Sequence, residues 1–305
     1  MIHKSVLLNE AIEGLDIREG DIFLDCTLGN GGHSLEVFKR FGTSVKIVGL
    51  DADSDAIARS AERLASFGCE IIAVAANFRH VSAVLDGLDI PKVDRVLMDL
   101  GLSSNQIEES GRGFTFQKDE PLLMTFSNEL GDGSLTAQAI VNFWDEENLE
   151  TILRAYGEER FARRIARGIV AAREAGPIET TGELVEIVAR SVPAVYRHGR
   201  IHFATRTFQA LRMTVNDELQ ALAEGMEQAF ERLNVGGRLA VISFHSGEDR
   251  IVKNFFRAKA AAGAGRLIAK KPLSATDEEI AENPRSRSAK LRIVEKIGEG
   301  EEGNY

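Results

Sequence analysis

The sequence predicts an α/β protein: a mostly parallel, doubly wound sheet of Rossmann-like type that carries a helical insertion. Three observations lead there. Short apolar runs alternate with helical periodicities from Asp21 to Leu100, the pattern of successive βαβ units. The first run, Ile22–Leu24, ends in Asp25 and spills into Gly29, Gly31 and Gly32. Between the fourth run, Val93–Leu100, and the fifth, Gly237–His245, lies far more chain than one helix and two short loops need.

In chain order, Val6, Leu7, Ala11, Ile12 and Leu15 fall at helical spacing and predict a first helix over Lys4–Leu15. After the glycine loop, Leu35, Val37, Phe38 and Phe41 mark a helix opening at Ser34. Lys46–Asp53 is a second strand ending in Asp51 and Asp53, Ser54–Ser66 a helix, and Cys69–Ala75 a third strand leading to Phe78. A long helix over Val215–Leu233 precedes the fifth strand, and Leu267–Lys270 with Lys290–Ile297 predict a closing antiparallel hairpin. The core domain is therefore expected as 1–106 plus 206–305, with 107–205 as the insertion. Inside it, Thr180 and Glu183 form a capping box that opens a helix over Leu184–Ser191, which Pro193 ends.

Ligands of such sheets bind beyond the carboxyl ends of the strands. Asp25, Asp51, Phe78 and Asp99 are therefore expected to converge on one crevice. Asp51 suits a ribose diol, because a carboxylate accepts from both hydroxyls; Phe78 suits an adenine ring. No Gly-Lys-Ser/Thr follows the glycines, which excludes a P-loop. In dinucleotide register from Gly29 the third glycine falls on Ser34. Asp25 with Gly29, Gly31 and Gly32 suits S-adenosylmethionine better, a ligand with no pyrophosphate.

The chain has 305 residues, 44% hydrophobic and 28% charged, with a net charge of −10. No apolar run of membrane-spanning length and no signal peptide is apparent, so a soluble, cytoplasmic protein is expected. The acidic balance argues against indiscriminate nucleic-acid binding and requires any such partner to meet a local basic face. Arg163, Arg164 and Arg167, with Arg160, share one helical face, and Arg206, Arg212, Arg250, Arg285 and Arg287 recur along the chain. Cys26 and Cys69 read as buried free thiols, and neither they nor the histidines show metal-ligand spacing, so no metal is expected. An acidic tail, Glu299–Asn304, closes the chain.

Taken together, Asp25–Ser34, Asp99–Gln106, Arg112-Gly113-Phe114, Gly157-Glu158-Glu159, Thr205–Arg212, Ser243–Ser246 and Asn283–Ser288 resemble the motifs of the bacterial small-subunit (16S) ribosomal RNA cytosine-N4 methyltransferases, the methyltransferase H family, in the family's order. The resemblance implies a class I S-adenosylmethionine-dependent methyltransferase whose substrate is a cytidine in the decoding region of small-subunit RNA or the 30S particle. It places the cofactor on Gly31, Gly32, His33, Asp51, Phe78, Asp99 and Gln106; His33 and Gln106 come from the resemblance alone. The chain departs from the family pattern at Leu123, Thr125, Phe203 and Gly247. These departures leave open a different RNA base or small amine as acceptor, or an RNA-binding assembly factor without turnover.

An exocyclic cytosine amine attacks poorly because its lone pair is delocalised into the ring. Acceptors for its hydrogens turn that lone pair toward the methyl carbon. Asp99, Ser103, Ser104 and Asn105, at and just past the fourth strand, are the candidates. His245 is expected as an orienting group or late proton acceptor, and Arg206 and Arg250 as phosphate or base contacts. Composition and spacing leave the oligomeric state open.

Overall fold

The computed structural model describes residues 5–128, 131 and 133–298; the acidic tail lies outside them. The chain divides into two compact units, one of 1–101 with 219–305 and one of 102–218. The second unit holds all of the expected insertion, 107–205, together with Leu102–Gln106 and Arg206–Glu218.

In the first unit, β1 (Ile22–Asp25), β2 (Lys46–Asp51), β3 (Ile71–Ala75), β4 (Val93–Asp99), β5 (Leu233–Ser243), β6 (Gly265–Leu267), β7 (Leu273–Ser274) and β8 (Lys290–Lys296) form one sheet. Its order is β3-β2-β1-β4-β5-β8-β6, with β7 also on β8. Neighbours from β3 to β5 are parallel, whereas β8 runs antiparallel to β5, β6 and β7. A closing antiparallel pair forms from β6 and β8, with β8 beside β5, but β6 shares only Leu267 with the expected strand Leu267–Lys270.

Helices α1 (Leu8–Leu15), α2 (Gly32–Phe41), α3 (Ser54–Ser66) and α4 (Val81–Gly87) belong to this unit. The second unit contributes α5 (Ser104–Glu108), α6 (Ala137–Phe143), α7 (Glu146–Ala155), α8 (Ala162–Arg173), α9 (Thr181–Ser191), α10 (Ala194–Arg197) and α11 (Thr205–Val215). The chain then returns to the first unit with α12 (Glu218–Arg232), α13 (Ser246–Ala261) and α14 (Asp277–Glu282). Successive strand residues point to opposite faces, and the two faces carry separate cores. Phe23, Ile47, Leu97, Ala240 and Ile242 pack with α1 and α2. Leu24, Val48, Val96, Met98 and Val241 pack with Leu222, Met226 and Phe230 of α12 and Phe256 of α13. Each such fully buried aliphatic or aromatic side chain stabilises by roughly 1.5–3 kcal/mol relative to exposure.

The helix expected over Val215–Leu233 is α12, which begins at Glu218 because the preceding helix, α11, ends at Val215. Asn216 caps α11, and its side chain accepts from Phe126 N at 2.7 Å while donating to Met124 O at 2.7 Å. Asp217 follows with φ +47°, a left-handed conformation that stops the helix. The α9 capping box is present: Thr180 Oγ1 accepts from Glu183 N, and Glu183 Oε2 accepts from Thr180 N. α8 starts at Ala162, so Arg160 stands outside it, its guanidinium over the rings of Phe161 and Tyr196.

Candidate functional site

Strand register places the three acids. Asp25 of β1 pairs with Gly49 of β2 and Leu97 of β4. Registered partners in a parallel sheet share a face, and so do residues two apart. Asp51 is two beyond Gly49 and Asp99 two beyond Leu97, so all three carboxylates stand on one face at the strands' carboxyl ends. Their charges act on one another: Asp51 raises the pKa of Asp25, and Asp25 raises that of Asp99.

The loop between β1 and α2 is pinned from below. Cys26 N donates to Leu97 O at 2.9 Å, and Leu28 N to Leu50 O at 2.8 Å. Gly29 (φ +51°) and Gly31 (φ +70°) take left-handed conformations that a side chain would strain. Gly29 N donates to Asp51 Oδ2 at 2.8 Å, and Asp53 N to Asp51 Oδ1 at 3.0 Å. At Gly32 a Cβ would stand 2.0 Å from Ser5 Oγ, so no larger residue fits there without displacing Ser5. His33 is buried in the first turn of α2. Its Nε2 lies 3.2 Å from Val6 O, the geometry of an N–H donor, and its Nδ1 stands 3.8 Å from Asp99 Oδ2.

Asp25 is 1% exposed and accepts from Ser34 Oγ at 2.7 Å and Thr27 N at 3.2 Å. Burial pushes its carboxyl up to about 6 despite those bonds. Asp99 differs: its backbone N donates to Thr27 Oγ1 at 2.7 Å, but its buried Oδ1 has no hydrogen-bond partner among the described residues. Burial, then the charges of Asp25 and Glu248, hold the Asp99 carboxyl well above the usual carboxylate range. A buried acceptor left unpaired costs on the order of 1–3 kcal/mol, and Asp99 Oδ1 is such an atom among the described residues. Phe78 opens a short 3-10 turn past β3 and leans on Gly225 of α12, where a Cβ would come within 2.6 Å of its ring.

His245 has a structural role that the sequence reading did not give it. It is the N-cap of α13: its Nδ1 accepts from Glu248 N at 3.4 Å, while Glu248 Oε2 accepts from Phe244 N at 2.8 Å and His245 N at 3.3 Å. Since Nδ1 serves as the acceptor, the neutral ring carries its hydrogen on Nε2. That nitrogen is buried 3.2 Å from Glu248 Oε1 but off the axis of a hydrogen bond. In that tautomer the ring presents Nε2–H as a donor. Glu248, 3% exposed and electrostatically coupled to Asp99, escaped the sequence reading. Its signal was present as the i, i+3 spacing of a capping box directly after a strand.

In the second unit, Ser103 is the N-cap of α5. Its Oγ accepts from Gln106 N at 3.2 Å, and Gln106 Oε1 accepts from Ser103 N at 2.9 Å. Gln106 is 7% exposed, so its oxygen serves the cap. Asn105 is half-buried in the same helix, and the side chain of Ser104 lies outside the described residues.

Of the expected arginine face, Arg163, Arg164 and Arg167 are exposed on α8, with Arg167 Nη2 3.5 Å from Glu146 Oε1 and Arg164 over the Phe161 ring. Arg206 Nη1 donates to Glu158 O at 3.2 Å. Arg212 drops out of this face: it binds both Glu218 oxygens, at 2.7 and 2.9 Å, with both side chains largely buried. Back in the first unit, Arg250, Arg285 and Arg287 are exposed. Among the described residues no helix is long and apolar enough to cross a membrane.

The sequence matches the MraW methylase family over residues 1–297. It is 46% identical over 315 residues to a ribosomal RNA small subunit methyltransferase H from Symbiobacterium thermophilum, covering 98% of each chain. It is also 46% identical over 311 residues to one of that name from Clostridium botulinum, covering 97% of this chain and 99% of the relative. Among solved structures, a putative methyltransferase from Streptococcus mutans in complex with SAH superposes with a TM-score of 0.47 at 11% identity, covering 97% of this chain and 100% of that one.

Proposed function

The chain belongs to the MraW methylase family, and from that premise we propose that it transfers a methyl group from S-adenosylmethionine to the N4 amine of a cytidine in small-subunit ribosomal RNA. The partner in this reading is the 30S particle or its RNA, met in the cytoplasm. The observation that carries it is the shared face of Asp25, Asp51 and Asp99 at the strand ends, beside a glycine loop held from below.

The residues present fit the cofactor. The unpartnered Oδ1 of Asp99 suits a cationic ligand, and at Gly32 there is no space for a side chain. Asp51 is assigned to the ribose, Phe78 to the adenine, Gly29, Gly31, Gly32 and His33 to the loop contact, and Gln106 to the cofactor as well. When bound, the sulfonium supplies an activated methyl group. Asp25 does not reach outward: buried and bonded to Ser34 and Thr27, it holds the loop that shapes the site.

The chain's part in the chemistry is orientation. Asp99 offers a buried acceptor for an amine hydrogen, so the nitrogen lone pair turns toward the carbon it attacks. Ser103, Ser104 and Asn105, just past the strand ending in Asp99, are assigned to hold the base. Ser103 Oγ accepts as a cap and keeps its own hydrogen to donate. His245 contributes an Nε2–H donor. A cytidine within folded RNA leaves its stack for such a site, at a cost of a few kcal/mol. Arg163, Arg164, Arg167, Arg206, Arg250, Arg285 and Arg287 are assigned to the RNA backbone.

Incubating the enzyme with labelled S-adenosylmethionine and small ribosomal subunits, followed by digestion to nucleosides, tests this reading. Label in N4-methylcytidine is expected. Label in another nucleoside would move the target, and cofactor binding without transfer would make the protein an RNA-binding assembly factor.

A further inference from the structure

One stretch of the second unit stands apart from the acidic chain around it. From Ile187 to Asn216, thirty residues, there is no aspartate or glutamate, yet there are five arginines: Arg190, Arg197, Arg200, Arg206 and Arg212. Arg190 and Arg212 are answered by Glu186 and Glu218, and Arg206 by the Glu158 carbonyl. Arg197 and Arg200 are exposed and have no carboxylate partner among the described residues. Between and beside them, Val195 is 87% exposed and Ile201 50%. Solvent-facing apolar side chains alternating with unpaired guanidinium groups are not what a solvated helix face needs.

The stretch ends in stacked rings. His202 lies on Phe116 with centroids 4.3 Å apart and planes 14° from parallel, and against Phe203 at 4.2 Å and 31°. Phe208 meets Phe116 edge-on at 5.3 Å and braces the stack. The orientation of His202 is fixed: its Nδ1 accepts from Ala204 N at 3.3 Å, so Nε2 carries a hydrogen, and that nitrogen has no partner among the described residues. The exposed edge of the stack therefore presents one N–H donor, and partial burial lowers the pKa of His202.

We propose that Phe116, His202 and Phe203, with Arg197 and Arg200, form a docking surface for single-stranded RNA, on which one unpaired base of the substrate continues the ring stack. Every base has a π face to stack, and flanking arginines track phosphates. Charge complementarity selects nucleic acid over a protein partner, since nothing acidic on this stretch would repel a polyanion. The flat ring ladder selects a single strand, because a paired base offers no free face. The inference rests on the RNA-methylating reading above and adds a contact surface to it.

The test uses the full chain and a fluorescent single-stranded RNA of mixed sequence, with a duplex of the same sequence as control, read by anisotropy at several salt concentrations. Phe203→Leu keeps apolar volume while removing the ring, and is expected to weaken single-strand binding by roughly 5- to 100-fold with little effect on the duplex. Arg197→Glu with Arg200→Glu is expected to lower the slope of log affinity against log salt by about one to two units. S-adenosylmethionine binding by calorimetry stays unchanged in both variants and reports an intact fold. Wild-type affinity in both variants, in an enzyme that still labels small subunits, would overturn this surface and leave the enzymatic reading standing. A wild-type protein that neither binds single strands nor labels subunits would overturn the reading itself.

Discussion

Gly29 donates its backbone N–H to Asp51 Oδ2 across 2.8 Å, tying the glycine loop after β1 to the acid that ends β2. The bond gives Asp51 two duties: it orients the loop, and its carboxylate is the acceptor assigned to a ribose. Asp51→Ala removes both. S-adenosylmethionine affinity is expected to fall by at least about tenfold, since a charge-assisted bond contributes roughly 1.5–3 kcal/mol. Asp51→Asn, which still accepts from Gly29 but has lost its charge, is expected to lie between. Equal affinity of all three proteins in calorimetry would remove Asp51 from the site.

Asp25 makes the ligand-free enzyme less stable as pH rises. Its folded pKa of about 6 stands above the ordinary 3.8, so the folded state holds the proton more tightly than the unfolded chain. Its contribution is fully present below pH 4 and is lost as pH rises through about 6. At 1.36 kcal/mol per unit, the loss amounts to about 3 kcal/mol. Asp25→Asn keeps an acceptor for Thr27 N, turns its amide NH2 to donate to Ser34 Oγ, and removes the ionisation. Its denaturation midpoint is expected to exceed that of wild type at pH 8 and to approach it near pH 4. The reverse order would mean that the buried carboxylate is stabilised by its bonds.

The raised pKa of Asp99 couples cofactor binding to protons. A cation beside this carboxyl favours its ionised form, so S-adenosylmethionine binding is expected to release a proton. Affinity then rises by up to about tenfold per pH unit while the free carboxyl remains protonated. S-adenosylhomocysteine, with its neutral sulfur, is expected to show a shallower slope. Asp99→Asn should make the two slopes parallel. Calorimetry in two buffers of different ionisation enthalpy measures the proton directly, and an equal release for both ligands in wild type contradicts the assignment.

Two sets of arginines separate by what they touch. Arg163 and Arg164 face solvent, and charge reversal at both is expected to weaken RNA binding and its salt dependence while cofactor affinity and melting temperature hold. Arg212→Ala leaves Glu218 largely buried without its bidentate partner. A destabilisation of about 2–4 kcal/mol is expected, with RNA affinity per folded molecule unchanged. Similar melting temperatures for Arg212→Ala and wild type would return that residue to the RNA face.

The sequence by itself determined where the parallel strands fall along the chain and which acids end them. Ile22–Asp25, Lys46–Asp51 and Val93–Asp99 each sit within the apolar run that announced them, because a buried parallel strand is apolar on both faces and writes itself locally. Glycines with positive φ are legible for the same reason, since few other residues tolerate that backbone. What only the tertiary structure decided are the partnerships. Asn216 spends its amide on Met124 and Phe126, ninety or more residues away, at the point where α11 ends and before α12 begins. Arg212 meets Glu218, His245 becomes a cap with a fixed tautomer, and Asp99 is left with an unanswered oxygen. Such pairings depend on where the fold brings side chains and water, and no period of two or 3.6 encodes that.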